Sequence, residues 1–143
     1  MKSVFAIFIL GLLLLNCKDK ESEPLPAIKD IYGTWRLEAY ERTANGEKTW
    51  ELVPVSEQPY EITFRFDGVI LNDKGLPACC TPDSYKLNGV LFKIEPKEKL
   101  EQNPQCNLVD CISSKWEIEQ NDDELIISLI DTSPVRRSRY VRQ

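Results

Sequence analysis

Apolar and polar residues alternate with a period of two along most of the chain beyond residue 30, a pattern typical of strands that bury one face. The clearest alternation places seven apolar side chains on one face of two strands: Trp35, Leu37, Ala39, Tyr60, Ile62, Phe64 and Phe66. Asp67-Gly68 and Asn88-Gly89 are sequence signals for tight hairpin turns. With the later apolar runs, the pattern predicts roughly eight or nine short strands and no helix.

Successive short strands joined by tight turns predict an all-β domain built as an antiparallel up-and-down meander. About eight such strands commonly close into a barrel, because closure leaves no exposed sheet edge. Two segments, 74–82 and 95–114, lack alternation and are predicted to be loops. Four aromatic or aliphatic residues are then candidates for lining a ligand pocket, with the alternative that they simply fill a small barrel: Tyr60, Ile62, Phe64 and Phe66.

Composition narrows the classes of function. The chain has 143 residues, 42% of them apolar, and a net charge of -5, which suits one globular domain and argues against nucleic-acid binding. It contains no histidine, so the commonest general base and the usual zinc ligand are missing. No spacing of acidic residues marks a catalytic pair. We therefore expect a non-enzymatic protein without a cofactor or a bound metal.

The N-terminus has the pattern of an export signal. Residues 4–15 are an apolar run, too short to cross a bilayer core that needs about 20 residues. The run ends at Asn16-Cys17 and is followed by charged residues. Leu14-Leu15-Asn16-Cys17 resembles the lipobox of bacterial lipoproteins, in which the cysteine thiol receives diacylglycerol and becomes the new N-terminus. An ordinary cleaved signal peptide with an incidental cysteine is the alternative.

The lipobox resemblance implies a signal peptide over 1–16, lipidation of Cys17 and anchoring in a bacterial cell envelope, with the outer membrane expected. Residues 17–29 are charged and contain two prolines, as a tether would, and we expect the domain to span 30–143. The charged run after Cys17 also resembles the export signal of Bacteroidota-type surface lipoproteins. A solvated tether explains the same residues, so the periplasmic and surface faces both remain open.

Four cysteines remain after Cys17, an even number that indicates disulfides in an exported chain: Cys79, Cys80, Cys106 and Cys111. A bridge between the adjacent Cys79 and Cys80 would be strained, so pairing across the two predicted loops is favoured. The cross-pairings would join the loops over one end of the barrel. A four-thiolate metal site is the alternative, although the paired Cys-x-x-Cys spacing typical of zinc sites is missing.

Gly33-Thr34-Trp35 at the start of the first strand matches the Gly-x-Trp motif of the lipocalins. Together with the hairpin at 60–68 and the arginines of the last strand, it resembles the short lipocalin-like lipoproteins of Bacteroidota-type bacteria. The resemblance implies a barrel whose closed end is formed by Gly33, Trp35 and an arginine lying across the indole ring. Arg139 is the first choice for that arginine and Arg142 is the alternative.

Two functional hypotheses follow. In the first, a monomeric, membrane-anchored barrel binds a small apolar or amphipathic ligand. In the second, the barrel is filled, and the disulfide-bound loops contact another protein of the envelope or host. A large apolar cavity would favour the first hypothesis. A packed interior, with exposed apolar side chains on the loops between Cys79 and Cys111, would favour the second.

Overall fold

The computed structural model describes residues 22–54, 60–112 and 115–143. Within these ranges the chain forms strands and two short 3-10 helices, Pro26–Ile28 and Pro104–Leu108. The strands are β1 (Gly33–Ala44), β2 (Glu47–Leu52), β3 (Glu61–Phe64), β4 (Ile70–Asn72), β5 (Ser84–Leu87), β6 (Val90–Lys93), β7 (Trp116–Asn121), β8 (Glu124–Leu129) and β9 (Arg136–Arg142). The predicted all-β fold is confirmed.

The strands form one curled sheet, a half-barrel. Eight strands follow the order β4-β3-β1-β9-β8-β7-β5-β6, and β2 pairs with β1 beside this path. The terminal strand β9 lies between β1 and β8 and pairs antiparallel with both. This pairing brings the first and the last strand together near the centre of the sheet.

The predicted antiparallel pairing is confirmed for most of the sheet, but the structure departs from an antiparallel up-and-down barrel in two respects. β5 and β7 pair in parallel, with Tyr85 opposite Trp116. β7 pairs with β5 and not with β6, the strand that precedes it in the chain, and it runs in the same direction as β5. Closure also fails, because among the described residues β4 and β6 pair with each other at no position and form the two ends of the sheet.

β1 is long because two strands share one of its edges. β3 pairs with the segment from Gly33 to Arg36, and β2 pairs with the segment from Ala39 to Ala44. β9 occupies the other edge only as far as Tyr40. The last part of β1 and its partner β2 therefore project beyond the sheet as a two-stranded arm, which turns at Asn45 and Gly46.

The concave face of the half-barrel carries the hydrophobic core. It contains eleven buried residues from the N-terminal segment and six strands: Ile28, Ile31, Trp35, Ile62, Phe64, Ile70, Tyr85, Leu87, Ile118, Leu125 and Ile127. Two rings pack edge to face in this core, Phe64 and Tyr85, with centroids 6.0 Å apart. The period of two along the strands directs these side chains inwards and leaves polar residues on the convex face.

The N-terminal segment packs into this core before β1 begins. Ile28 is fully buried, and the backbone N–H of Leu25 donates a hydrogen bond of 2.9 Å to the carbonyl oxygen of Phe66. The sequence pattern assigns both Leu25 and Ile28 to the tether. In the structure both residues pack with the core, so the packed domain begins before residue 30.

Candidate functional site

Trp35 lies at the end of the core where β1 begins. Its side chain is fully buried, and its indole N–H donates a hydrogen bond of 2.8 Å to the carbonyl oxygen of Ile31. The guanidinium carbon of Arg142 lies 4.3 Å from the centroid of the indole ring. Arg142 also donates hydrogen bonds to the carbonyl oxygens of Tyr32 and Asp30. The arginine thus covers the tryptophan and ties the segment before β1 to the last strand.

Arg139, the first choice for this position from the sequence, does not lie over Trp35. Arg142 is directly opposite Trp35 in the register of β1 and β9, so the two side chains share a face. Arg139 is three residues earlier, and the alternation of the strand places it on the convex face. There its guanidinium carbon lies 5.0 Å from the centroid of the Trp50 ring.

The convex face around Trp50 is a network of paired charges. Arg137 lies 5.7 Å from the same ring centroid, and its Nη1 donates a hydrogen bond of 2.9 Å to Glu41. Nε of Arg139 is 2.8 Å from a carboxylate oxygen of Glu38, although the N–H does not point at that oxygen. Burial alone would raise the pKa of Glu41, but hydrogen bonds from Lys48 and Arg137 lower it overall. Each of the two arginines lies close to a carboxylate, and we assign the network a structural role in holding β2 against the sheet.

The four residues proposed from the sequence to line a pocket do not share a cavity. Ile62 and Phe64 are buried within the packed core, and Phe64 has no exposed surface. Tyr60 precedes β3 and is 71% exposed. Phe66 lies in the turn after β3, where the guanidinium carbon of Arg65 is 5.5 Å from its ring centroid. Ile62 and Phe64 therefore fill the half-barrel, whereas Tyr60 is exposed and Phe66 is only partly buried.

The gap between the two ends of the sheet, which we call the seam, is bridged by the turn that joins β3 to β4. Asp67 in this turn is fully buried and receives two hydrogen bonds from Arg65, of 2.8 and 2.6 Å. Its carboxylate also accepts hydrogen bonds from the backbone N–H groups of Lys97 and Val69. Burial alone would raise the pKa of Asp67, but these hydrogen bonds and the charge of Arg65 hold it below its ordinary value of 3.8. The carboxylate thereby connects β3 and β4 to the loop that follows β6.

A second contact across the seam involves Gly68 in the same turn. The hydroxyl group of Tyr85 on β5 donates a long hydrogen bond of 3.5 Å to the carbonyl oxygen of Gly68. Gly68 has a φ of +84°, and a Cβ atom there would collide with the ring of Phe92 on β6. Glycine is required because the turn approaches the hairpin of β5 and β6 closely. Burial raises the pKa of Tyr85, and the negative charge of Asp67 adds to the effect.

A small cleft opens at the seam beside these contacts. Its volume is about 160 Å³, and its walls come from β4 and the two long loops: Val69, Ile70, Pro77, Thr81, Pro82, Asp83, Ile94, Pro96 and Leu100. A dry apolar cavity of about 150 Å³ is large enough to bind benzene. The cleft is therefore of the size of one small ring or one apolar side chain, far below the size of a lipid.

The two long loops form one covalently closed unit, which we call the disulfide lobe and define as residues 77–83 and 103–112. Cys79 is bonded to Cys106, and Cys80 is bonded to Cys111, with sequence separations of 27 and 31 residues. This confirms disulfides and cross-pairing between the loops. The side-chain amide of Asn103 adds a hydrogen bond of 2.9 Å to the carbonyl oxygen of Pro77.

The disulfide lobe exposes apolar side chains on its second loop. Leu108, Val109 and Ile112 are 86%, 47% and 57% exposed. They flank Cys106 and Cys111, so both disulfides restrain the backbone that carries them. We call these three residues the lobe patch. Exposed apolar side chains close together on a restrained loop are a feature of protein contact surfaces.

The described residues contain no group of three or more His, Cys, Asp or Glu side chains arranged to hold a metal ion. None of the helices in these ranges is sufficiently long and apolar to cross a membrane. Cys17 and the expected signal peptide lie outside the described residues. A broad open depression near Arg142 is lined by both charge signs, including Lys29, Asp30 and Asp122, so it favours neither an anionic nor a cationic ligand.

Comparison of the chain with protein-family models, with curated proteins and with solved structures yields no match.

The sequence did not indicate two features of the site. Asp67 is part of a turn signal, where aspartate is ordinarily solvated, so its burial depends on the distant Lys97. The lobe patch lies in a segment without alternation, which predicts a loop and leaves the exposure of its apolar residues undecided. The adjacent apolar residues Leu108 and Val109 were a weak signal of an exposed apolar surface. They lie among polar residues and cysteines, in a segment without the alternation of a strand.

Proposed function

We propose that this chain is a lipid-anchored, non-enzymatic protein of a bacterial cell envelope whose disulfide lobe binds another protein. The observation that carries the proposal is the contrast between a filled interior and an exposed lobe patch. The concave face is occupied by large side chains such as Trp35, Phe64 and Tyr85, which are almost fully buried. Their burial supports a filled interior over a lipocalin-type ligand cavity.

The energetics of the lobe patch support a contact role. Burying apolar surface stabilises a folded chain by roughly 25 cal/mol per Å², and an exposed leucine forgoes most of that gain. The disulfides hold the lobe in place without burial of these side chains. Leu108 is therefore free to contact a partner, where its burial would contribute to binding.

Anchoring and the family resemblance complete the proposal. The lipobox-like end of the apolar run supports lipidation of Cys17. The cover of Trp35 by Arg142 supports the resemblance to lipocalin-like lipoproteins, because that family places an arginine of the last strand across the tryptophan at the closed end of the barrel. In this proposal the barrel architecture is retained as a scaffold, and the ligand cavity is replaced by side chains.

The contact surface is tested by photo-crosslinking in intact cells. A photoreactive amino acid at position 108 should give an adduct of defined mass with a partner protein. The matched control is position 90 on β6, where Val90 is 70% exposed but lies outside the disulfide lobe. Adducts that are the same at both positions, or no adduct at position 108, would contradict the proposed contact surface.

The anchor is tested separately by metabolic labelling with a clickable fatty acid. The wild-type chain should be labelled, and Cys17→Ala should be unlabelled and should leave the membrane fraction. Undiminished label on the variant would reject lipidation at Cys17. That result would leave the crosslinking experiment unaffected, so the two parts of the proposal fail independently.

The cleft at the seam favours a second candidate function, the binding of one small apolar molecule. Its volume of about 160 Å³ and its proline-rich wall support this alternative. Native mass spectrometry of the full chain, purified without denaturation, distinguishes the two. A retained small molecule that is lost in a Thr81→Phe variant, designed to fill the cleft, would favour the second candidate over the first.

A further inference from the structure

The chain contains two Asn-Gly dipeptides in the same type of turn but in different surroundings. Asn45-Gly46 joins β1 to β2, and Asn88-Gly89 joins β5 to β6. All four residues have positive φ, with 55° at Asn45 and 46° at Asn88, as a two-residue type I′ hairpin loop requires. Both asparagines are exposed, and a Cβ added at either glycine would meet nothing. Turn type, exposure and steric access are therefore matched.

Contacts to the rest of the sheet separate the two sites. The Asn88 side-chain oxygen accepts a hydrogen bond of 2.8 Å from the backbone N–H of Gln120, and the Asn88 backbone N–H donates one of 2.8 Å to the carbonyl oxygen of Ile118. Both partners lie on β7. Among the described residues, the structure records no side-chain hydrogen bond for Asn45. Its turn is the tip of the arm, and β9 stops pairing with β1 at Tyr40.

From this difference we infer that Asn45 is a site of spontaneous deamidation in the folded protein and that Asn88 is protected. The backbone nitrogen of Gly46, after losing its proton to hydroxide, attacks the side-chain carbonyl carbon of Asn45. A carbon–nitrogen bond forms, the side-chain amide bond breaks, and its nitrogen leaves as ammonia with a proton from water. Water then opens the resulting succinimide at either carbonyl and gives aspartate or isoaspartate, so that water has replaced ammonia with no oxidation or reduction.

Ring closure requires the side chain and the backbone of the asparagine to leave their positions in the turn. At Asn45 this needs only the terminal pair of the arm, Ala44 and Glu47, to open, because no third strand restrains it. At Asn88 the same motion must break two hydrogen bonds to β7. Local opening free energies are lowest at such unsupported tips, so the reactive conformation is more populated at Asn45.

The modification changes the arm in two ways. Each event replaces a neutral amide by a carboxylate and makes the chain one unit more negative than its charge of -5. Isoaspartate also inserts an extra carbon into the backbone of a loop that has only two residues. A longer loop cannot keep the register in which Ala44 faces Glu47, so we expect the tip of the arm to open.

The test follows both dipeptides by peptide mapping of the full chain, kept folded in mildly alkaline buffer. Asn45 should convert about tenfold faster than Asn88, given the lower local opening energy at the arm. The same chain in concentrated denaturant is the control, and there both sites should convert at similar rates. Equal rates in the folded protein, a faster Asn88, or no conversion of Asn45 while the denatured control converts would each overturn the inference.

Discussion

The concave face and the disulfide lobe are stabilised in different ways. The concave face collects eleven buried apolar residues from distant parts of the chain and contains no disulfide. The disulfide lobe has two disulfides and leaves Leu108, Val109 and Ile112 exposed. Ordering the backbone of each residue costs roughly 1–2 kcal/mol of conformational entropy. On the concave face the burial of apolar side chains offsets this cost. In the lobe much of that entropy is already removed from the unfolded chain by the disulfides.

This difference shows where the molecule has freedom to change. A side chain of the concave face cannot be altered without loss of packing, because each one supports several others. A side chain of the lobe patch contributes little to folding, since covalent bonds hold its backbone. A contact surface on the lobe can therefore be apolar without being required for stability. The variants below test this division, beginning with the largest expected effect.

Trp35→Ala should give the largest loss of stability. It removes a fully buried indole, its hydrogen bond to Ile31 and the ring that Arg142 covers. Loss of a buried aromatic side chain costs about 3–5 kcal/mol in the free energy of unfolding, a large part of the stability of a small domain. Urea denaturation measures the change. A variant as stable as wild type would mean that the core does not depend on this end of the half-barrel.

Removing one disulfide should destabilise the lobe more than the concave face. The double variant Cys80→Ser/Cys111→Ser opens the loop of 31 residues, and the chain-entropy model gives a cost of about 2–4 kcal/mol. Hydrogen exchange locates the effect. Amides of residues 103–112 should lose protection, whereas those of β8 should keep protection relative to the lobe. Equal loss in both regions would show that lobe and core unfold as one unit, contrary to the comparison above.

Asp67→Asn should weaken the seam by about 1–3 kcal/mol, because it removes charge-assisted hydrogen bonds from a buried group. The pKa of Asp67 is lower in the folded chain than its ordinary value of 3.8. The stability that this carboxylate contributes is therefore fully present above that value and is lost as the pH falls through the lower, folded-state pKa. The difference between wild type and variant should shrink in strongly acidic buffer. A difference that does not vary with pH would show that the ionised carboxylate is not the stabilising group.

Arg142→Ala should cost about 0.5–2 kcal/mol, the range expected for a cation–π contact with a buried ring. Arg139→Ala is the matched control on the same strand, since its guanidinium lies over Trp50 on the charged convex face. The Trp50 ring is only partly buried, and cation–π contacts at more exposed sites lie towards the lower end of the range, so Arg139→Ala should cost less. Thermal melts of both variants decide the order. A larger loss of stability for Arg139→Ala would show that the contact between Arg139 and Trp50 stabilises the sheet more than the contact between Arg142 and Trp35.

Much of the secondary structure could be predicted from local patterns. The alternation at Trp35 and at Ile62 and Phe64 predicts strands with those side chains inwards, because a strand turns successive residues to opposite faces. Asn88-Gly89 predicts a hairpin, because both residues accept positive φ. The cysteine count predicts disulfides, since an exported chain with four remaining cysteines can pair them all. Each of these properties depends on residues close together in sequence or on composition.

The tertiary structure decided what the local patterns leave open. Alternation does not reveal which strands become neighbours, so the parallel pairing of β5 and β7 depends on where β7 joins the sheet and not on local sequence. Which arginine covers Trp35, Arg139 or Arg142, depends on the register of β9 against β1. No short turn connects these two strands. The burial of Asp67 depends on Lys97, which is 30 residues away. Contacts between distant residues form only when the whole chain has folded, and the sheet edges, the seam and the lobe patch all arise from such contacts.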